Sequence, residues 1–193
     1  MIAGIVLAGG LGTRMGGTDK ALMPLAGRPM LAHALARLAP QVPLLAISAN
    51  GDPARFAAFG LPVLADGVPG FPGPLAGVLA GMDWAAAQGA TAVLSLAADT
   101  PFPPADLAVR LGAAGFAMAA SPDTEGRMRR HPTVALWPVR LREALRAALS
   151  RGERKVGRWA AEQGAGVVCW DQPPDPFFNV NTPQDLAQAE ARA

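Results

Sequence analysis

Short apolar runs alternate with helical patterns along this chain, and this alternation restricts the possible fold more than any other feature of the sequence. It is typical of βαβ units, in which mostly parallel strands form a sheet and the intervening helices cover it. We therefore predict the α/β class, with a Rossmann-like three-layer fold: a mostly parallel sheet with helices on both faces.

The predicted elements follow from the length and periodicity of each run. The polar stretch 121–130 is expected to form a hairpin or a loop. Since the chain has 193 residues and no internal repeat or long linker, one domain spanning residues 1–193 is expected. Strands are expected at 2–7, 44–48, 62–64, 92–97, 116–120, 133–137 and 167–170. Helices are expected at 29–38, 53–59, 75–87, 104–111, 138–149, 153–162 and 183–191.

Composition argues against several classes of protein. Seventeen Lys and Arg against 15 Asp and Glu leave a net charge of +2, which does not indicate a nucleic-acid partner. The apolar start lacks a basic leader, and no run of about 18 apolar residues follows it, so neither a signal peptide nor a membrane span is expected. Cys169 is the single cysteine, which predicts a reduced thiol and a cytoplasmic location.

A glycine-rich segment follows the first predicted strand, and it contains five glycines between Ala8 and Lys20. Glycines let backbone N–H groups approach phosphate oxygens, while Arg14 and Lys20 supply the countercharge. Lysine occurs elsewhere only at Lys155. The segment lacks the third glycine of G-x-G-x-x-G and the glycine before lysine in G-x-x-x-x-G-K-[ST]. We interpret it as a phosphate loop of another type; a flexible turn is the alternative.

Two carboxylates come just after predicted strands. Asp99 follows the strand at 92–97, and Asp66 follows the short strand at 62–64. The carboxyl edge of an open α/β sheet is where such folds bind their ligands. Magnesium is held by one or two carboxylates together with substrate phosphates. Asp99 is therefore predicted to hold Mg²⁺, although either aspartate could instead be a helix cap or turn former.

Two further groups of polar residues are candidates for binding a second substrate. Asparagine is scarce, and Asn179 and Asn181 stand two apart on one side of an extended segment, where their amides can bind a polar ligand or a hydrated metal. Turn capping is the alternative. His131 follows three nearby arginines and is a candidate for docking an anionic second substrate.

Several motifs occur in order over nearly the whole chain, and together they resemble one family. They are Leu7-Ala8-Gly9-Gly10-x-Gly12-x-Arg14-Met15-Gly16-Gly17-x-Asp19-Lys20, Ser48-Ala49-Asn50, Asp66, Gly73-Pro74-Leu75-Ala76-Gly77, Asp99-Thr100-Pro101-Phe102, His131-Pro132-Thr133 and Phe178-Asn179-Val180-Asn181-Thr182-Pro183. The set resembles the molybdenum cofactor guanylyltransferases, the MobA family.

The resemblance implies a nucleotidyltransferase fold and the transfer of GMP from GTP to molybdenum-bound molybdopterin, with release of pyrophosphate. It implies Mg²⁺ as the cofactor and GTP and molybdenum-molybdopterin as partners. Molybdoenzymes or cofactor-insertion proteins are candidates for further partners. The residues that the resemblance places around the nucleotide are Leu7, Ala8, Gly9 and Gly10 at the guanine or ribose, Asp66 at the nucleoside, Arg14 and Lys20 at the triphosphate, and Asp99 at Mg²⁺ and the nucleotide.

The chain departs from the family at one position. Where the family often has Asn-Ala-Asn, this chain has Ser48-Ala49-Asn50, so the nucleoside contact falls either to Ser48 or to Asn50. Two other functions remain as alternatives. One is a cytidylyltransferase of the same fold, although such enzymes typically read Leu-Ala-Ala-Gly where this chain has Leu7-Ala8-Gly9-Gly10. The other is a non-catalytic carrier of the molybdenum cofactor.

Overall fold

The computed structural model describes residues 1–9, 19–67 and 73–193. Short 3-10 helices lie at Lys20–Leu22, Ala39–Gln41, Pro53–Phe59 and Val139–Leu141. The strands are β1 (Ile2–Leu7), β2 (Pro24–Leu25), β3 (Arg28–Pro29), β4 (Leu44–Ser48), β5 (Val63–Leu64), β6 (Ala92–Ala97), β7 (Ala117–Pro122), β8 (Met128–Pro138) and β9 (Gly166–Cys169). The α-helices are α1 (Met30–Leu38), α2 (Pro74–Ala87), α3 (Leu107–Ala114), α4 (Arg142–Ser150), α5 (Val156–Glu162) and α6 (Pro183–Glu190).

The main sheet has the strand order β5-β4-β1-β6-β8-β7-β9. Strands β5, β4, β1 and β6 are parallel to one another, and β9 is parallel to β7. Strand β8 is antiparallel to both of its neighbours, β6 and β7. The mostly parallel sheet predicted from the sequence is therefore confirmed, with one reversed strand that the pattern of apolar runs did not predict.

Helices cover the sheet on both faces, which confirms the predicted three layers. Helices α1 and α3 bury leucines against one face, where they meet β-strand side chains such as Val6 and Leu94. Helices α2, α4 and α5 bury their apolar residues against the other face, around the fully buried Trp137. A third, smaller cluster joins the β2–β3 hairpin to α6 through Leu25, Val180 and Ala189.

The predicted elements agree with the structure for most of the chain, and their bounds differ in several places. The helices predicted from residues 138 and 153 begin at Arg142 and Val156. Strands 2–7, 44–48 and 92–97 are confirmed at both ends. The predicted helix at 53–59 is a 3-10 helix, a geometry that suits short segments. The helix predicted from residue 104 begins at Leu107, after two consecutive prolines. The predicted strand 133–137 is the second half of the longer strand β8, and the β2–β3 hairpin was not predicted.

The polar stretch 121–130 forms the turn of a hairpin between β7 and β8, so the first of the two predicted alternatives is confirmed. Asp123 closes the turn: its Oδ1 accepts hydrogen bonds from the backbone N–H groups of Glu125 and Arg127, each at 2.9 Å. Cys169, predicted to lie in an apolar strand, is at the end of the edge strand β9 and is exposed.

Helix α2 lies so close to the sheet that two of its glycines have no room for a side chain. A Cβ atom at Gly81 would lie 2.5 Å from Cδ1 and 3.0 Å from Cγ2 of Ile5, which is fully buried on β1. A Cβ atom at Gly77 would lie 2.6 Å from Oγ of Ser48 and 3.0 Å from Cδ2 of Leu7. Because these two residues are glycines, the first turns of α2 can lie directly against β1 and β4.

Gly81→Ala is expected to destabilise the protein. Overpacking a close-packed core costs about 1–3 kcal/mol, which exceeds the gain of about 1 kcal/mol from the better helix propensity of alanine. Gly112→Ala on α3 is the control, since its Cβ would meet only the flexible end of Ile2, at 3.2 Å. Urea unfolding of both variants measures the difference; equal stability of the two would contradict the close approach at Gly81.

Candidate active site

The carboxyl ends of four parallel strands form one edge of the sheet, and the segments that leave them carry predicted site residues. Hydrogen bonds extend the ladder one residue past the strands: the N–H of Ala8 donates to the C=O of Ser48 at 2.8 Å, and that of Ala98 to the C=O of Leu7 at 3.0 Å. Gly9, Asn50, Asp66 and Asp99 therefore follow neighbouring strands at the same edge. Ligands of open α/β sheets bind at this edge.

Lys20 reaches this edge from a short 3-10 turn. Asp19 begins the turn, and its Oδ1 accepts a hydrogen bond from the N–H of Ala21 at 3.2 Å. The Nζ of Lys20 lies 2.6 Å from Oδ2 of Asp99, to which it donates a charge-assisted hydrogen bond. The structure thus brings together the cation and the carboxylate that the sequence predicted independently.

Asn179 and Asn181 form hydrogen bonds with this pair. Asn179 donates from Nδ2 to Oδ1 of Asp99 at 2.8 Å, and Asn181 accepts at Oδ1 from Nζ of Lys20 at 2.6 Å. Between them, the N–H of the buried Val180 donates to the C=O of Asp99 at 2.9 Å. We call Lys20, Asp99, Asn179 and Asn181 the lysine cluster.

Helix α6 fixes the segment that carries the asparagines. Thr182 and Asp185 form a capping box: Thr182 Oγ1 accepts from the N–H of Asp185 at 3.1 Å, and Asp185 Oδ2 accepts from the N–H of Thr182 at 2.8 Å. Asp185 Oδ2 also accepts from the N–H of Asn181. Burial raises the pKa of Asp185, but these hydrogen bonds outweigh it and hold that pKa below its usual 3.8. This capping box holds Asn181 next to Lys20.

The ion pair of the lysine cluster is partly exposed. The side chains of Lys20 and Asp99 are 18% and 22% exposed, so solvent reaches both. A partly exposed cation and carboxylate at this edge of the sheet are consistent with binding a charged ligand.

Asn50 and Asp66 form a second, reciprocal pair at the same edge. Nδ2 of Asn50 donates to Oδ2 of Asp66, and Oδ1 of Asn50 accepts from the N–H of Asp66, both at 2.8 Å. Asn50 is exposed, whereas Ser48 is 3% exposed and lies beneath Gly77 of helix α2. Of the two residues considered for the nucleoside contact, Asn50 is therefore the one with a side chain open to a ligand.

Asp99 is the carboxylate of the lysine cluster, and hard oxygen donors of this kind are what magnesium prefers. In the structure Oδ2 of Asp99 and Oδ1 of Asn181 both accept hydrogen bonds from the ammonium group of Lys20. Among residues 1–9, 19–67 and 73–193 there is no group of three or more His, Cys, Asp or Glu side chains placed to hold a metal. The chain therefore does not offer a complete metal cage in its described part, and Asp99 stands as the predicted ligand.

His131 lies on β8 in a different environment from the lysine cluster. It is 6% exposed, its Nε2 lies 2.7 Å from Oγ of Ser121, and Ser121 donates to Oδ1 of Asp175 at 2.7 Å. Since the single hydroxyl proton goes to Asp175, Nε2 of His131 must be the donor in the other bond. This position favours a structural role; contact with a second substrate stays a prediction.

His131→Gln is expected to weaken the pH dependence of stability. Burial lowers the pKa of His131 from its usual 6.5, and Arg129 acts in the same direction, while Asp175 opposes both. As the pH falls below 6.5, the unfolded chain therefore takes up a proton that the folded chain does not, and the free energy of unfolding decreases until the folded-state pKa is reached. Gln keeps an N–H donor but does not titrate in this range.

Urea unfolding at pH 7 and pH 5.5 measures this difference. His33→Gln is the control, since it removes the other histidine and leaves His131 in place. Carboxylates such as Glu153, whose pKa is lowered to about 2 by hydrogen bonds from Arg158, titrate below this window. An identical loss of stability in His131→Gln and in the unchanged protein would contradict the assignment.

The remaining predicted site residues belong to the end of β1 and to the segment after it. Gly10 and Arg14 fall outside the described residues, so their predicted contacts stay predictions. Leu7 and Ala8 are at the end of β1, with Ala8 buried and Gly9 exposed.

The sequence did not indicate roles for Asp19 and Arg55. Asp19 had a signal, an aspartate directly before a short turn, whereas nothing near Arg55 in the sequence indicated its contacts.

The fold and the site together define a class: an α/β protein that binds an anionic ligand, of the kind that a nucleotide presents, at the carboxyl edge of its sheet. Residues 4–167 match the MobA-like NTP transferase domain, and the chain belongs to this family.

Two curated relatives match nearly the whole chain. A molybdenum cofactor guanylyltransferase of Rhodopseudomonas palustris strain BisB5 is 56% identical over 196 residues, which cover 96% of this chain and 91% of that protein. A protein of the same name from Bradyrhizobium sp. strain ORS 278 is 53% identical, over 100% of this chain and 93% of that protein. The resemblance recognised from the ordered motifs is thereby confirmed.

Solved structures show the same fold. Molybdopterin-guanine dinucleotide biosynthesis protein A from Archaeoglobus fulgidus superposes with a TM-score of 0.72 at 23% identity, over 100% of this chain and 98% of that one. The 4-diphosphocytidyl-2C-methyl-D-erythritol synthase of Anaerococcus prevotii superposes with a TM-score of 0.75 at 12% identity, over 100% and 97%. Since two differently named proteins share the fold, the fold does not identify the nucleotide.

No helix within the described residues is long and apolar enough to cross a membrane.

Proposed function

We propose that this protein transfers GMP from GTP to molybdenum-bound molybdopterin, giving the guanine dinucleotide form of the cofactor and pyrophosphate. The observation that carries the proposal is the ammonium group of Lys20, held 2.6 Å from both Asp99 and Asn181 at the carboxyl edge of the sheet. Relatives named molybdenum cofactor guanylyltransferase, more than half identical over nearly the full chain, support guanine and the pterin acceptor.

The chemistry requires no nucleophile from the protein. An oxygen of the pterin phosphate forms the new bond to the α-phosphorus of GTP, the bond between that phosphorus and the bridging oxygen breaks, and pyrophosphate leaves with the electron pair. Such a reaction depends on alignment and on neutralising charge. Lys20 is proposed to bind the departing pyrophosphate, and Arg14, in the same glycine-rich segment, is proposed to add a second positive charge.

Magnesium is part of the proposal. Asp99 would hold it, and it would neutralise phosphate charge. The exposed Asn50 and its partner Asp66 are proposed to bind the nucleoside. Asn179 holds Asp99 in place through its 2.8 Å hydrogen bond. A cytoplasmic location follows from the proposed substrates and stays part of the proposal.

Pyrophosphate release tests the function. The purified protein, Mg²⁺ and molybdenum-loaded molybdopterin are incubated with each of the four nucleoside triphosphates in turn, and release is expected with GTP. Release with CTP instead would show a cytidylyltransferase, an outcome that the structural likeness to a diphosphocytidyl synthase makes worth measuring. Binding of the pterin without release from any nucleotide would show a carrier and would overturn the enzymatic proposal.

A further inference from the structure

Arg55 connects two parts of the site through one guanidinium group. It lies in the 3-10 helix Pro53–Phe59, directly after β4. Its NH2 donates to the C=O of Asn50 at 2.6 Å, and its NH1 donates to the C=O of Asp52 at 3.2 Å. On the other side, its Nε lies 2.8 Å from Oδ2 of Asp19. The Nε–H makes no hydrogen bond among the described residues, so the contact with Asp19 is an ion pair.

Two of the partners of Arg55, Asn50 and Asp19, belong to different halves of the site. Asn50 holds Asp66 through the reciprocal 2.8 Å hydrogen bonds of the proposed nucleoside side. Asp19 begins the 3-10 turn that presents Lys20 to Asp99. Arg55 is therefore a direct link between the segment after β4 and the turn that carries the cation of the lysine cluster.

The surroundings hold the guanidinium in place. Its central carbon lies 4.6 Å from the ring centroid of Phe56, which is fully buried. Gly51 has a φ of +83°, and a Cβ there would lie 2.8 Å from NH1 of Arg55. The turn after Asn50 thus needs glycine for its left-handed backbone, and the guanidinium group of Arg55 lies close to it.

We propose that Arg55 is a positioning residue for GTP, setting the distance between the nucleoside side, Asn50 and Asp66, and the phosphate side, Lys20. It acts through Asn50 and Asp19 rather than by touching the substrate. The inference rests on the proposed function, because it assigns GTP to this site. A ligand that spans both sides depends on their separation, whereas a ligand that occupies one side does not.

The main test compares Arg55→Met with a matched variant, Arg110→Met. Arg110 has the same types of contact away from the site: it lies 4.2 Å from the ring centroid of Trp170, donates to the C=O of Cys169 at 2.6 Å, and pairs with Asp106 at 3.6 Å. Arg55→Met is expected to raise the Kd for GTP on the order of 10-fold, which corresponds to about 1.4 kcal/mol. Arg110→Met is expected to leave it unchanged.

Two further measurements separate positioning from a general loss of structure. Guanosine, which occupies only the nucleoside side, is expected to bind Arg55→Met much less altered than GTP does. Arg55→Lys keeps the charge beside Asp19 but not the planar fork, so it is expected to recover part of the GTP affinity. Equal losses for guanosine and GTP would overturn the link, as would a GTP affinity that does not change or that falls equally in Arg110→Met.

A second variant keeps the test decisive if Arg55→Met does not fold. Asp19→Asn retains an oxygen that can cap the turn but removes the charge that faces Arg55. It is expected to weaken GTP binding in the same direction as Arg55→Met. Unchanged GTP binding in Asp19→Asn would overturn the pairing.

The failure of this inference differs from the failure of the proposed function. Binding of GTP and CTP to the unchanged protein is measured first, and the variants are tested with whichever nucleotide binds. If only CTP binds, guanine is not the base that this protein recognises, and the Arg55 variants are tested with CTP. If neither GTP nor CTP binds, both proposals are overturned.

Discussion

Lys20→Ala is expected to lower turnover with GTP about 10²–10³-fold, the usual effect of removing one preorganised donor from developing charge. Nζ of Lys20 is held by two oxygens at 2.6 Å each, so the ammonium group is already positioned when a nucleotide arrives. Alanine has no ammonium group, so the negative charge that grows on the departing pyrophosphate then lacks the cation that we propose binds it. The measurement is steady-state pyrophosphate release at saturating GTP.

The fold is expected to survive the change. Asp99 keeps the hydrogen bond from Asn179, and losing a part-exposed ion pair costs on the order of 1 kcal/mol or less. Lys155→Ala is the control, because Lys155 is the only other lysine of the chain and is exposed just before α5. Unchanged turnover in Lys20→Ala, or the same loss in Lys155→Ala, would contradict the role given to Lys20.

Asp99→Ala is expected to lower turnover by a similar or larger factor, on the order of 10²–10³ or more. It removes both the partner of Lys20 and the carboxylate proposed to hold Mg²⁺. Asp99→Asn separates the two effects, since the amide keeps the size and one oxygen of the side chain but has no charge. We expect Asp99→Asn to bind GTP better than Asp99→Ala and still to respond weakly to Mg²⁺.

A carboxylate on another part of the surface provides the control. Asp83 on α2 accepts two hydrogen bonds from NH2 of Arg146, at 2.7 and 2.9 Å, and Asp83→Ala breaks that pair without changing the sheet edge. Turnover and its dependence on Mg²⁺ concentration are measured for each variant. Full activity of Asp99→Ala with Mg²⁺ present would exclude Asp99 as the metal ligand.

The regular elements of this protein could be predicted because their patterns are local. The apolar run 2–7 predicts both ends of the buried strand β1. The capping signal at Thr182 and Asp185 predicts the start of α6. The position of β8 between β6 and β7 could not be predicted in this way. A hairpin at 121–130 implies that β7 and β8 are antiparallel, but the local pattern of β8 does not specify β6 as its other neighbour.

The residue types of the site could be predicted from the sequence, but the burial of each residue could not. Lys20, Asp99, Asn179 and Asn181 were each singled out by residue type, scarcity or position after a strand, and the structure brings all four into one cluster. His131 was singled out by neighbouring arginines, but the structure buries it against Ser121. Burial depends on what packs over a strand, which the nearby sequence does not show.

By itself the sequence determined the class of fold and the residue types that such a site needs. Only the tertiary structure decided which of them meet: Lys20 lies 79 residues from Asp99 and 161 from Asn181 along the chain. It also revealed Arg55 between Asn50 and Asp19. Local periodicity specifies strands and helices, whereas the order of strands in the sheet and the packing of the loops at its edge specify which distant side chains come into contact.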